Sequence, residues 1–227
     1  MNRELEGIWE HMRDLGLAAL AHANRHAAYH DPENSRWSEL SILQAAHAAE
    51  IIIKARIAQE HPLLIFEEFP KLPKDEGIPL TIQSLFEKGK TAQWSDLPTR
   101  LWATTGIKIP NQRSFEDFGK LRNGIQHFSP IPGNIDASKT TLKFVFEVID
   151  PFINDCWGLF AIDYDEDYDS YENFPNTLIR MEIPFLVSPE AVKYYEFWKD
   201  DFANTDIKYK NDLLAYINRH YKQIPTP

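Results

Sequence analysis

The stretch from about residue 36 to 60 constrains this fold more than any other. Ile51, Ile52 and Ile53 follow one another, flanked by Ala45, Ala46, Ala48, Ala49 and Ala55. Wound as a helix, this composition leaves apolar groups on most sides. A helix without a polar half belongs in the middle of a bundle. The same segment nevertheless carries His47, Glu50 and Lys54 at i, i+3 and i+7, which stacks them along one stripe. Such a stripe has two readings. It is a solvated face with a Glu–Lys i,i+4 pair worth about 0.2–0.5 kcal/mol, or it looks into a site.

Other helices are expected on both sides. Residues 3–29 place Leu15, Ala18, Ala19 and His22 at three- and four-residue steps, and Asp31-Pro32 breaks that run. Asn34 or Ser35 is a natural cap for the second helix. A proline-punctuated connector follows, from Pro62 through Pro70, Pro73 and Pro79. Helices are expected over 80–91, capped by Thr81, and over 95–104. Asn111 or Ser114 opens the next one, which Ser129-Pro130 ends before a Pro132-Gly133-Asn134 turn. A Phe- and Val-rich helix fits 136–160.

The acidic run Asp163–Asp169 reads as an exposed boundary loop. Beyond it, Thr177–Ile183 alternates as a short strand would, and helices fit 189–203 and 208–221. The expected fold is therefore all-α: an up-and-down bundle over 1–162, with a mostly helical extension over 163–227 packed on it.

The 227 residues carry a net charge of −10 and a single cysteine, Cys156. One cysteine excludes an internal disulfide and makes a Cys-built metal site improbable. Among Phe152, Trp157 and Phe160 it reads as packing rather than as a nucleophile. No apolar run approaches the ~20 residues needed to span a bilayer. The N-terminus lacks the layout of a signal peptide, so a cytoplasmic protein without membrane contact is expected. No glycine-rich phosphate loop is present. The acidic balance opposes a broad grip on nucleic acid, since phosphate affinity needs Lys and Arg. It is uneven, however: −4 over residues 1–162 and −6 over 163–227. Around Arg122 the balance turns mildly positive, with Lys108, Arg113, Lys120 and Arg122 against Glu116 and Asp117.

Arginine and histidine occur five apart three times, as Arg25/His30, Arg56/His61 and Arg122/His127. The first two lie at helix ends and read as surface pairs, as do His22 and His26. The third has better surroundings. Phe115, Phe118, Leu121, Ile125 and Phe128 gather on one face, and Arg122, Asn123, Gln126 and His127 form a polar strip beside it. An arginine that holds a phosphodiester, with an imidazole that moves a proton, needs no metal. Geometry restricts this, because residues five apart on a helix differ by ~140° and rise ~7.5 Å. Either the helix distorts near Gly124, or the strips of two subunits converge across a two-fold axis. The dimer is the preferred expectation.

The segments Ala46–Ala55, His61–Phe66 and Leu121–Phe128, in that order, resemble the HEPN superfamily over about residues 15–160. Its signature is an arginine, usually followed by a polar residue, with a histidine four to six positions on; Arg122, Asn123 and His127 match it. The resemblance implies a small helical bundle of a prokaryotic type and a metal-independent endoribonuclease without cofactor, its composite site at a homodimer interface. It implies Arg122 on the scissile phosphate and His127 as general base or acid toward the ribose 2′-hydroxyl or the leaving oxygen. Asn123 and Glu50 would orient them, with His47, Lys54 and Gln126 in support. Many members are toxins or antiviral factors, some paired with a nucleotidyltransferase antitoxin. Others have lost catalysis and serve as scaffolds that bind a protein or nucleotide. On that reading Arg122 makes a structural ion pair and His127 closes the helix end, where a cation is favoured by about 0.3–1 kcal/mol. Residues 163–227 have no counterpart in the family.

Overall fold

A computed structural model describes residues 5–71, 80–127, 133 and 135–221. It is an all-α bundle with one minor sheet. Helices α1 (Ile8–Ala28) and α2 (Trp37–Glu60) form its central hairpin. As its composition predicts, α2 is buried on nearly every side, from Ser41 and Ile42 to Ile57 and Ala58. Gly16 lets the two axes close up, because a Cβ there would lie 2.6 Å from Ile52 Cγ1. No described helix is long and apolar enough to cross a membrane.

After α2, His61 caps a short 3-10 turn, its Nδ1 accepting from Leu63 N at 3.2 Å. Strand β1 (Phe66–Glu68) pairs antiparallel with β2 (Lys90–Thr91), in register Phe66 with Thr91. The helix expected over 80–91 is shorter, α3 (Ile82–Lys88), because β2 claims its end. Thr81 caps it through a reciprocal capping box with Ser84. Helix α4 spans Leu97–Thr105 and ends on left-handed Gly106. Asn111, itself at positive φ, opens α5 (Gln112–His127). The end expected for that helix at Ser129-Pro130 lies outside the described residues, as do Phe128 and most of the following turn.

The helix expected over 136–160 runs as α6 (Ala137–Phe144), a π-helical turn (Val145–Ile149) and α7 (Asp150–Trp157). The π turn has a local cause. Pro151 lacks an N–H, and its ring crowds the carbonyl four residues back, so a wider turn just ahead of it relieves the conflict.

The C-terminal third holds two corrections. No strand forms over Thr177–Ile183. Instead α8 (Ser170–Arg180) buries Phe174, Leu178 and Ile179, a helical spacing that the alternation of Ile179, Met181 and Ile183 with Arg180 and Glu182 disguises. The helix expected over 189–203 breaks into 3-10 turns around the single turn α9 (Tyr195–Trp198). Helix α10 (Ile207–His220) forms close to where it was expected, capped by Asp206. Phe185, Trp198 and Ile217 of this region join the same hydrophobic core as Leu20 and Ile52.

The acidic run is also more than an exposed loop. Asp165 accepts from Tyr29 Oη at 3.1 Å, and Glu166 lies 2.9 Å from His22 Nδ1. Asp167 pairs with Arg25 at 3.2 Å, and Asn24 donates to the Ala161 and Tyr164 carbonyls. Only Glu166, Tyr168 and Asp169 of the run stay exposed. The run is laced to α1.

Candidate functional site

The featured strip of α5 lies along an open cleft of about 710 Å³. One wall comes from α5, with Gly119, Lys120, Arg122, Asn123 and His127; the other comes from Glu50 of α2 and the Thr91–Ser95 segment after β2. Trp94, which lines the cleft, is backed by the core: it stacks face to face on Phe115, at 4.1 Å and 3° between planes. Trp94 packs tightly against α5 at Gly119: a Cβ there would sit 2.2 Å from the indole Nε1.

Glu50 is the hub of the charges. Its Oε1 accepts from Lys54 Nζ at 2.6 Å, and its Oε2 lies 3.9 Å from Arg122 Nη2. Lys54 is buried, its ammonium also donating to Thr91 Oγ1 at 3.0 Å. Arg122 donates through Nη1 to Asn123 Oδ1 at 2.8 Å. One carboxylate thus serves two cations, and the Lys54–Glu50–Arg122 chain keeps a net positive charge. Lys120 and Glu116 add one charge of each sign to the lining. Lys120 also bonds Asp117 at 2.8 Å, which holds its ammonium above the ordinary lysine range.

The structure brings Arg122, Asn123, His127 and Glu50 to this one cleft, with Lys54 behind Glu50. Two expected residues are not there. His47 is exposed and outside the lining, because the step from Glu50 back to His47 rotates it off the cleft side. Gln126 is likewise exposed and outside the lining. The solvated Glu–Lys pair is corrected too, since Lys54 is enclosed rather than on a wet face. Helix α5 stays α-helical through Gly124, so no kink draws Arg122 and His127 together. Thr91, Gln93, Trp94 and Ser95 had no mark in the sequence. They reach the cleft only through the β1–β2 pairing.

The competing arginine–histidine pairs are used up elsewhere. Arg25 pairs with Asp167 and lies 4.9 Å over the Tyr29 ring, while Arg56 pairs with Glu60 at 2.8 Å. His22 and His26 pack ring against ring at 4.3 Å, but only His22 is at the surface. His26 is buried against Trp37 at 3.7 Å, and burial, then the neighbouring His22, lowers its pKa. Cys156 is half-buried, its thiol pushed up to about 11 by burial. Among the described residues no group of His, Cys, Asp and Glu has metal-binding geometry. Comparison with models of known families, with characterised proteins and with solved structures finds no match to this chain.

Proposed function

We propose that this protein is a metal-independent endoribonuclease of the HEPN type, active as a homodimer. The observation that carries the reading is the shared cleft: Arg122, Asn123 and His127 line one open groove, and Glu50 steadies the guanidinium from α2. Arg122 binds the scissile phosphate and stabilises the charge that grows on it. His127 moves the proton, an imidazole being suited to that task near neutrality. A second copy supplies the other strip, since residues ~140° apart on one straight helix approach a single phosphate poorly. The product is a 2′,3′-cyclic phosphate or its hydrolysed form. Such a nuclease fits a toxin or antiviral role, with a nucleotidyltransferase-type antitoxin as the partner class, in a prokaryotic cytoplasm.

The experiment is cleavage of mixed single-stranded RNA with chelator present. His127→Ala and Arg122→Ala should each lose at least ~100-fold, the scale of a positioned proton-transfer group, with their thermal melts unchanged. Wild-type protein that leaves RNA intact, or variants as active as wild type, would overturn the assignment. A sedimentation experiment showing only monomer would remove the composite site.

One observation favours a second reading, a silent module that binds a protein or nucleotide. Arg122 is already engaged by Glu50 and Asn123. On that reading Arg122→Ala lowers the melting temperature and wild type cleaves nothing.

A further inference from the structure

A second concavity, of about 320 Å³, opens where the π turn, the 184–186 segment and α10 meet. It shares no lining residue with the cleft. Its walls include the rings of Phe146, Phe185, Tyr209 and Tyr216, and Asp212 is the only ionised side chain among the described residues that line it. Phe146 and Phe185 pack edge to face at 6.2 Å. The Tyr209 ring is fixed by its hydroxyl, which donates to the Ile183 carbonyl at 2.8 Å. Asp212 is exposed, and its carboxylate forms no ion pair or hydrogen bond with a described side chain, although Lys208 stands one helical turn earlier.

We propose that this pocket binds a small organic cation, an ammonium group carried on an apolar or aromatic body. Three features select that class. The volume lies at the small end of ligand sites, which run from about 300 to 1,000 Å³. Aromatic faces attract cations through their quadrupole, more strongly as the site is desolvated. An unpaired carboxylate at the mouth pairs with the ammonium N–H groups and repels an anion of the same shape. The π turn contributes Phe146 to the wall.

The test is calorimetric titration of the full chain with 2-phenylethylammonium and with 2-phenylethanol, which share a skeleton and differ in charge. The amine should bind about tenfold tighter or better, a difference of about 1.4 kcal/mol. In Asp212→Asn, whose exposed position leaves the fold intact, the two probes should bind almost equally. In Tyr216→Ala both should weaken, and a melt of that variant separates lost binding from lost folding. NMR shifts on adding the amine should concentrate on α10 and residues 184–186. Equal binding of both probes to wild type, no saturable binding of the amine at millimolar concentration, or shifts confined to other surfaces would each overturn the assignment. A preference that survives in Asp212→Asn would do the same.

Discussion

Asp150 and Glu50 are carboxylates on helices of one bundle, put to opposite uses. Asp150 is fully enclosed. Its two oxygens accept from the Ala161 and Leu186 backbone N–H groups, at 2.7 and 2.8 Å, so one side chain ties α7 to two points of the later chain. Among the described residues no cation pairs with it. Glu50 faces a cleft, partly wet, between a buried ammonium and a half-buried guanidinium. The first arrangement is closed, with both oxygens bonded inside the protein. The second is open, with positive charge to spare. A saturated polar group holds a fold together; an unsaturated one at a cleft is available to a ligand.

The comparison breaks most visibly at Asp150. Asp150→Ala leaves two buried N–H groups without an acceptor, at about 1–3 kcal/mol each, so a loss of about 3–5 kcal/mol is expected in denaturant unfolding. The loss depends on pH. Burial pushes the carboxyl up to about 7, against the two N–H bonds, which favour the ionised form. The native state therefore holds a proton that the unfolded chain, with a carboxyl near 3.9, has released. Stability from this group is full below about pH 4 and declines as pH rises toward 7. The gap between wild type and Asp150→Ala should be wider at pH 5 than at pH 8. A gap that widens with rising pH would mean that the carboxylate, not the acid, is the native form.

Glu50 should respond less, and in a different manner. Glu50→Gln strips the buried Lys54 of its counter-charge and should cost about 1–3 kcal/mol. Replacing Lys54 as well, in Glu50→Gln/Lys54→Met, should recover most of that, because contacting residues do not act additively. Simple addition of the two single effects would show that the chain of charges is not a unit. The open cleft then adds a readout that Asp150 lacks: RNA cleavage should fall in Glu50→Gln even where stability has been restored.

How much of this was legible depends on whether a residue's role is local. The burial of α2, the amphipathic run of α5 and the Thr81 cap all follow from spacing along one helix, and the sequence predicts each of them. Arg122, Asn123 and His127 share a helix, so their common strip was also visible. Glu50 has only its stripe to recommend it, and that same stripe carries His47, which lies off the cleft, and leaves open whether Lys54 faces solvent or a site. Nothing in Thr91–Ser95 announces a cleft wall, because that role arises when β2 pairs with β1 and Trp94 slides under Gly119. Asp150 was invisible for a similar reason: its partners lie 11 and 36 residues away. In α8 the error ran the other way, as a period of two over a few residues outweighed the helical spacing of Phe174, Leu178 and Ile179.

The acidic run supplies a third way of using a carboxylate, and the smallest expected effect. Glu166 and His22 meet at 2.9 Å with nearly half of each side chain exposed. Their attraction is exchanged for interactions with water and screened by salt over a Debye length of about 10 Å at 0.1 M. Glu166→Gln should therefore cost under about 1 kcal/mol, and the cost should shrink further at molar salt. Asp165, half-buried and bonded to Tyr29, holds the same run to α1 by a contact that salt reaches poorly. If Glu166→Gln proved as damaging as the Asp150 variant, the run would be a structural clasp throughout. A small, salt-sensitive loss would instead divide it, with the Asp165 end set into the bundle and the Glu166 end resting on its surface.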